Sequence, residues 1–423
     1  MEFKQYPSYK NSGVEWLGGV PEHWVGSKFK YIFQEKQHTK NMNLPFGAIS
    51  FGSVVYKEDK ANLTDELKEN YQEVLQGEFL VNPLNLNYDL KSLRTALSKI
   101  DVVVSSGYFV LKLKNNTFNK RYLEYLLYIF DIRKMKTLGA GIRQTLTFRD
   151  MAVCDVAIPS ACEQTQIASF LDYETFRIDN LIAKQEKLIE LLEEQRKSII
   201  SHAVTKGLNP NAPMKDSGVE WLGEVPEHWQ QKPIWSLFKR IKRTNFPTER
   251  LLSVYRDYGV IPKDSRDDNH NRASEDLTPY QLVCANDLVI NKMKAWQGSI
   301  AISELRGIVS PAYYIYQPKA EYHSKYIHFL IRSAYYIQSY KNYSKGIRVN
   351  QWDLESEAFT HIDLLLPSLD EQQKIVAFLD TETARIDNLI SKQKSLIEKL
   401  KEYRTSIISH AVTGKIDVRE FGA

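Results

Sequence analysis

The chain has 423 residues, of which 43% are hydrophobic and 26% charged, a composition that favours two or three folded domains and argues against a disordered chain. Its net charge of +4 permits nucleic-acid binding but is too small to predict it. No apolar run reaches the roughly 18 residues of a membrane span, and residues 1–10 lack the core of a signal peptide, so we expect a cytoplasmic protein.

The chain contains a short motif twice, which divides it into two similar halves. Residues 12–24 return as residues 217–229, and the copies differ only at Gly19 and Glu224. We call these copies the His-Trp motifs, because both end in Pro-Glu-His-Trp. The repeat predicts two domains of the same fold, each beginning near one copy.

The regions that follow the His-Trp motifs have diverged. Residues 29–155 and 234–362 scarcely resemble each other, although both combine strand-like runs with tyrosine-rich helical segments. Short apolar runs at 101–105 and 287–291 are typical of buried strands. We therefore predict an α+β fold, with one globular α/β domain in each half.

A long amphipathic helix is predicted after each variable region. Residues 163–205 match residues 371–413 at about 30 of 43 positions. Each copy begins with a Ser-x-x-Glu capping box, and apolar residues follow at intervals of three and four. The residues predicted to pair the helices are Ile178, Leu181, Gln185, Leu188, Leu192 and Ile199 in the first, and Ile386, Leu389, Gln393, Leu396, Leu400 and Ile407 in the second.

These apolar stripes need a partner. The simplest arrangement is an antiparallel two-helix coiled coil with a pseudo-twofold axis, in which each helix of about 35 residues buries the stripe of its copy. The alternative is that each helix packs on its neighbouring domain. Gln185 and Gln393 interrupt the stripes at equivalent places, where polar residues can fix the register.

The resulting domain prediction follows the repeats. We expect a first globular domain at 1–159, a first helix at 160–206 and a linker at 207–213. We expect a second globular domain at 214–367, a second helix at 368–413 and a tail at 414–423.

Candidate DNA contacts are basic and amide residues on predicted loops, since arginine and lysine suit guanine and phosphate, and asparagine and glutamine suit adenine. Arg143 and Arg348 both follow Gly-Ile at equivalent places. Most such residues in any protein are ordinary solvated side chains. The candidates are Asn82, Asn85, Lys91, Arg94, Arg143 and Gln144 in the first half, and Lys292, Lys294, Trp296, Gln297, Lys345, Arg348 and Gln351 in the second.

Several of these patterns together resemble the specificity subunits of type I restriction–modification systems. They are the His-Trp motif, the segment 286–291, the Ser-Pro-Ala-Tyr segment ending at Tyr313, and the Leu-Pro-Ser-Leu-Asp-Glu-Gln-Gln segment before the second helix. The first half has Ser-Ser-Gly-Tyr at 105–108 and lacks the proline.

The resemblance implies a DNA-binding subunit without catalytic activity, whose two target-recognition domains each read half of a bipartite, asymmetric site. It also implies that the helices set the spacer and dock two modification subunits, which methylate adenine with S-adenosylmethionine. Motor-nuclease subunits that use ATP and Mg²⁺ would complete a complex that defends cells against phage.

The residues themselves carry no recognisable catalytic motif. Neither a phosphate-binding loop nor a glycine-rich cofactor loop is present, and Cys154, Cys162 and Cys284 lack metal-ligand spacing, so we expect no catalytic site, metal, disulfide or cofactor on this chain. Two other functions stay open: a self-contained enzyme that modifies DNA, and a coiled-coil adaptor that does not contact DNA.

Overall fold

A computed structural model describes residues 3–57, 68–84, 93–138, 145–266, 273–348 and 351–421. The chain divides into two compact units: the first consists of residues 1–184 and 395–423, and the second of residues 185–394. The division falls inside the two long helices. The first unit is therefore discontinuous in sequence and the second is contiguous.

The described residues of the first unit form twelve strands and three short or medium helices outside the long pair. The strands are β1 (Tyr9–Asn11), β2 (Gly19–Pro21), β3 (Val25–Lys28), β4 (Phe33–Glu35), β5 (Gly47–Ser50), β6 (Ser53–Tyr56), β7 (Tyr71–Val74), β8 (Phe79–Val81), β9 (Thr95–Leu97), β10 (Val102–Ser105), β11 (Phe109–Leu113) and β12 (Asp155–Ile158). The helices are α1 (Phe29–Ile32), α2 (Lys120–Arg133) and α3 (Phe148–Ala152).

The second unit repeats this architecture in fourteen described strands and four helices outside the long pair. The strands are β13 (Met214–Asp216), β14 (Glu224–Pro226), β15 (Gln230–Pro233), β16 (Phe238–Ile241), β17 (Leu252–Tyr255), β18 (Gly259–Pro262), β19 (Gln281–Val283), β20 (Leu288–Asn291), β21 (Ile300–Ile302), β22 (Gly307–Val309), β23 (Tyr313–Pro318), β24 (Ser344–Arg348), β25 (Gln351–Leu354) and β26 (Asp363–Leu366). The helices are α5 (Ile234–Leu237), α6 (Ser324–Ile331), α7 (Ala334–Asn342) and α8 (Ser356–Thr360).

The central sheets of the two units have the same topology. Their antiparallel strand orders are β4-β11-β8-β9 and β16-β23-β20-β21. Because alternate side chains on a strand point to opposite faces, Leu288 and Ile290 pack in one core while Val289 packs in another on the opposite face. Leu80 of β8 is separated from Phe79 and Val81 in the same way. The predicted α+β class is confirmed, and the divergent sequences share one fold.

The two long helices are α4 (Ala161–Lys206) and α9 (Leu369–Val412), of 46 and 44 residues, which is longer than the predicted 35. The hydroxyls of Ser160 and Ser368 each accept a hydrogen bond from the backbone N–H three residues on, at 3.3 Å in both copies. Gly207 and Gly414, with φ of 77° and 70°, follow their ends and allow the left-handed turn that terminates a helix.

Each unit buries a segment of α4 against a segment of α9. In the first unit, Ile178 and Ile407 belong to the core, with Ile182 and Leu400 packed against it. In the second unit, Leu192, Ile386 and Ile390 form a separate cluster, joined by the partly buried Ile189, Ile199 and Leu389. The early part of each helix meets the late part of the other, so the predicted antiparallel coiled coil is present.

The seam is narrower than the predicted apolar stripe. Leu181, Leu188 and Leu396 are 39%, 39% and 40% exposed, so these three predicted pairing residues lie outside the seam. Gln185 and Gln393 are half-buried. Adjacent apolar residues, such as Leu181 and Ile182, compete for one seam position, and a two-helix contact accommodates only a narrow stripe.

Candidate functional site

The candidate DNA contacts of the first unit fall in different environments. Asn82 follows β8 and is half-buried; its side-chain oxygen accepts a hydrogen bond from the backbone N–H of Leu84 at 3.0 Å. The candidates Asn85, Lys91, Arg143 and Gln144 lie outside the described residues.

The structure corrects the prediction that Arg94 contacts DNA, because this residue is only 4% exposed. Its Nε donates to Oδ1 of Asp131 on α2 at 2.9 Å, and its backbone N–H donates to Oδ2 of the same carboxylate at 2.6 Å. A buried ion pair of this kind holds β9 and α2 together. The sequence placed Arg94 on a loop because nothing local shows the carboxylate beneath it.

In the second unit, the loop from Asn291 to Ser299 connects β20 to β21 and carries four of the candidates. Lys292 donates to Oδ2 of Asp353 at 2.9 Å, and this hydrogen bond raises the pKa of Lys292 above its ordinary value. The ring of Trp296 lies 5.0 Å from that of Trp352. These two side chains therefore brace the loop against β25.

Lys294 and Gln297, on the same loop, line a cavity of about 610 Å³ between this loop and the β17–β18 hairpin. We call it the hairpin cavity. Its other lining residues include Asn291 and Tyr313 from the sheet, and Tyr255, Arg256, Tyr258, Lys263 and Arg266 from the hairpin and the residues after it. The candidates on this loop thus divide into a bracing pair and a cavity-lining pair.

The remaining candidates lie on the β24–β25 pair. Lys345 and Arg348 belong to β24 and Gln351 to β25, with the register shifting between Lys345 and Arg348. In the register, Lys345 is opposite Asp353 and Arg348 is opposite Gln351.

Arg332 positions the β17–β18 hairpin and was not predicted. Its guanidinium donates to the carbonyls of Ile300 at 3.1 Å and Tyr255 at 3.3 Å, and also to the carbonyl of Arg256. Burial lowers the pKa of Arg332 to about 10. The side chain therefore ties one wall of the hairpin cavity to the central sheet.

The His-Trp motifs bind the first turns of the long helices. In the first unit, Oε1 of Glu163 accepts hydrogen bonds from Trp24 Nε1 at 3.1 Å and from the Tyr6 hydroxyl at 2.7 Å. Nε2 of His23 lies 2.9 Å from the other oxygen. Burial and the hydrogen bond to Glu163 raise the pKa of Tyr6 well above its ordinary value.

The second unit has the same contact between its His-Trp motif and its long helix, but without the tyrosine. We call these two contacts the His-Trp joints. Glu371 accepts from Trp229 Nε1 at 3.1 Å, and its second oxygen lies 2.9 Å from His228 Nε2. The His-Trp motif and the glutamate in the first turn of the long helix both occur twice in the sequence. Because they recur together, their repetition is the signal that could have identified this contact.

The opposite ends of the helices bind the same motifs. Lys206, the last residue of α4, donates to the carbonyls of Leu222 and Glu224 in the second unit. Lys415, after α9, donates to the carbonyl of Gly19 in the first unit. Each His-Trp motif therefore connects the start of one long helix to the end of the other.

Apolar side chains also remain exposed on the long helices. In the first unit, Tyr173 and Phe176 of α4 are 55% and 70% exposed, and Tyr403 of α9 is 41% exposed. In the second unit, Leu191 is 49% exposed and Phe378 is 39% exposed. Exposed apolar residues in this number on a helix pair are typical of surfaces that bind another protein.

The described part of the chain has neither a metal-binding cluster nor a membrane-spanning helix. Within the described ranges, no three His, Cys, Asp or Glu side chains are grouped so that they could hold a metal ion. The three cysteines are free. None of the helices in the described part of the chain has the length and apolarity needed to cross a membrane.

Comparison with known proteins gives a consistent result. The sequence model of the family described as type I restriction modification DNA specificity domain matches this chain twice, at residues 22–194 and 226–399. The type I restriction enzyme MjaVIII specificity subunit of Methanocaldococcus jannaschii is 25% identical, and the match covers 97% of both chains. The EcoKI specificity subunit of Escherichia coli is 23% identical over 46% of this chain and 44% of that protein.

Two solved structures share the fold. A structure described as the basis of complex assembly and conformational transition of the type I R-M system has a TM-score of 0.65 at 13% identity, and covers 93% of this chain and 98% of that one. The HsdS subunit from Thermoanaerobacter tengcongensis has a TM-score of 0.50 at 15% identity, with 94% and 98% covered.

Proposed function

Since this chain belongs to the type I restriction modification DNA specificity family, as a specificity subunit with two target-recognition domains, we propose that each domain reads one half of a bipartite, asymmetric DNA site. The observation that carries the proposal is one fold built twice from unlike sequences, joined by helices that are nearly the same. Two domains of the same fold with different surface residues suit two different half-sites.

The helix pair acts as the spacer ruler in this proposal. A helix of 46 residues measures ~69 Å at ~1.5 Å per residue, and half-sites one DNA turn apart are separated by roughly 34–36 Å. Capped ends, a buried seam and the His-Trp joints all favour a stiff connection. A stiff connection would restrict the spacer to one length.

The exposed apolar side chains of the long helices are the proposed docking surface for two modification subunits. In this arrangement those partners bind S-adenosylmethionine and methylate adenine, and restriction subunits that use ATP and Mg²⁺ join them. The chain itself contributes recognition and assembly, with no cofactor and no catalytic residue of its own. Tyr173 and Phe176, the most exposed of the aromatic residues on α4, are the central docking residues.

The experiment that tests this function maps methylated adenines in a host genome by single-molecule sequencing. Cells express the modification subunits with the chain, without it, or with residues 234–362 exchanged for those of another specificity subunit. We expect methylation only with the chain, at a two-part site, and the exchange should alter one half-site and leave the other. Methylation that does not depend on the chain contradicts the proposal.

A second measurement separates this function from the enzymatic alternative. The purified chain is incubated with DNA and radiolabelled S-adenosylmethionine. We expect salt-dependent DNA binding without methyl transfer. Transfer in the absence of partner subunits would identify the chain as an enzyme, and lack of any DNA binding by the assembled complex would identify it as an adaptor.

A further inference from the structure

The hairpin cavity combines aromatic, cationic and amide side chains in one concave space. Its volume of about 610 Å³ lies within the usual range of small-ligand pockets, ~300–1,000 Å³. The edge of an intact duplex is continuous, whereas a concave pocket suits a single group that projects from its surroundings. The shape therefore favours one nucleotide over a stretch of base pairs.

Aromatic and guanidinium planes at the cavity can stack on a base. The guanidinium of Arg266 lies 5.2 Å from the ring centroid of Tyr255 and 4.9 Å from that of Tyr258. Tyr258 is 60% exposed, so its ring is accessible. Stacking of this kind accepts any base, because every base has a flat face.

Positive charge predominates in the lining. Four of the lining residues, Arg256, Lys263, Arg266 and Lys294, are cationic, and Asp257 is the acidic one. Neither Lys263 nor Lys294 has a carboxylate partner among the described residues. A phosphate is the group that such a lining would neutralise.

Hydrogen-bonding groups complete the lining, and two segments that resemble the family bring them there. Asn291 ends one segment and Tyr313 ends the other; the Asn291 amide donates to the Tyr313 hydroxyl at 3.3 Å. The side chain of Gln281 donates to the backbone carbonyl of Tyr313 at 2.7 Å, which fixes the second segment. Gln297 faces the same space and offers both a donor and an acceptor.

We propose that the hairpin cavity binds one unstacked nucleotide, with the base at the Tyr258–Arg266 stack and the phosphate at Lys263 and Lys294. This inference rests on the proposed DNA-binding function where the nucleotide in the cavity is one displaced from bound DNA. A free nucleoside monophosphate is the other source of the same chemistry.

The test uses the full-length chain and two probes. The first is a DNA duplex with one unpaired 2-aminopurine nucleotide, compared with the fully paired duplex of the same sequence; the second is dAMP, measured by equilibrium dialysis. We expect the chain to bind the unpaired duplex at least tenfold more tightly than the paired one. Tyr258→Ala and Lys294→Ala should each abolish this preference.

Lys232→Ala is the matched control, because Lys232 is an exposed lysine on β15 of the same unit that does not line the cavity. It should keep the preference. Binding of dAMP that is lost in Tyr258→Ala and Lys294→Ala, without a preference for the unpaired duplex, supports the free nucleotide as the source. The proposal is overturned if neither probe binds preferentially, or if binding survives both cavity variants. Circular dichroism checks that each variant is folded.

The outcome is separable from that of the proposed function. If bipartite methylation is intact while neither probe uses the cavity, the cavity proposal alone fails. If methylation does not depend on the chain while dAMP binds at Tyr258 and Lys294, the proposed function fails and the cavity remains a nucleotide site.

Discussion

Asp179 of α4 and Arg404 of α9 form an ion pair in the first unit, with Nε 2.8 Å from Oδ1. The equivalent residues of the other repeat, Asp387 and Arg196, form the same pair in the second unit at 3.2 Å. Each helix thus supplies the acid to one pair and the base to the other. This reciprocal exchange is what the antiparallel pairing of two repeated helices requires.

We predict a small coupling for this pair, because the Asp179 side chain is 52% exposed and solvent screens the interaction. A double-mutant cycle with Asp179→Asn and Arg404→Gln, measured by urea unfolding, should give a coupling free energy of about 0.5 kcal/mol. The cycle with Asp387→Asn and Arg196→Gln should give a similar value. A coupling in one unit and none in the other would contradict the symmetry.

Removal of the buried carboxylate at the first joint should be costly. Glu163→Ala leaves Trp24 Nε1 and the Tyr6 hydroxyl without an acceptor. We therefore expect the free energy of unfolding to fall by about 2–3 kcal/mol. Glu371→Ala is the matched variant; its side chain is 28% exposed and has no tyrosine partner, so about 1 kcal/mol is expected.

Hydrogen exchange measured by mass spectrometry checks that Glu163→Ala destabilises its unit more than Glu371→Ala does. Glu163→Ala should increase exchange at residues 3–24, and Glu371→Ala at residues 214–229. Equal effects in the two units would show that the tyrosine contributes nothing.

The spacer length should follow the helix length. Deletion of residues 185–191 together with 393–399 removes seven residues from each helix and retains the spacing of the seam on both sides. Seven residues correspond to ~10.5 Å of helix, or about three base pairs at ~3.4 Å each. Mapping of methylated sites should show a spacer shorter by about three base pairs with unchanged half-sites. An unchanged spacer rules out the ruler.

The Arg94–Asp131 pair is expected to act on stability and not on DNA affinity. Arg94→Met leaves a buried carboxylate without its cation and should cost about 3 kcal/mol. Arg94→Met with Asp131→Asn should recover most of this loss, since the amide still accepts from the backbone N–H of residue 94. Urea unfolding and DNA titration check both variants; unchanged stability with weakened DNA binding would restore Arg94 as a DNA contact.

The stability of the second unit should fall as the solution becomes acidic. Burial, with further contributions from Arg332 and Lys325, lowers the pKa of His328 to about 4. The unfolded chain takes up this proton near pH ~6.5 and the folded chain only near pH 4, so acidification across that window favours unfolding. The expected loss is roughly 3 kcal/mol at pH 4 and nothing above pH 7.

His328→Gln should flatten this pH profile, as measured by urea unfolding between pH 7 and pH 4. A profile that is equally steep in the variant would assign the acid sensitivity to other groups.

Sequence patterns predicted the elements that depend on local periodicity. The capping boxes and the three-four spacing gave the long helices, and the repeat gave their pairing. The same spacing did not decide between Leu181 and Ile182 for the seam, because both lie on the apolar stripe and only the partner helix selects one.

Contacts between distant residues were beyond such patterns. Arg94 is basic and lies near predicted loops, but its environment depends on Asp131, which only the folded chain brings beneath it. Lys292 and Lys294 are two residues apart in one loop, yet one is bound to Asp353 and the other lines the hairpin cavity. Residues two apart in a strand would point to the same face, so their different roles follow from the turn that this loop makes between β20 and β21 and from the elements on each side of it.

The discontinuity of the first unit has a consequence for biosynthesis. Residues 185–394 are contiguous, so the second unit has all of its parts once they have left the ribosome. The first unit needs residues 395–423 as well, including Lys415 for its His-Trp motif, and must wait until these residues have been translated. The domain translated first is therefore completed last, and a nascent chain that stalls near residue 395 would carry a finished second recognition domain and an open first one.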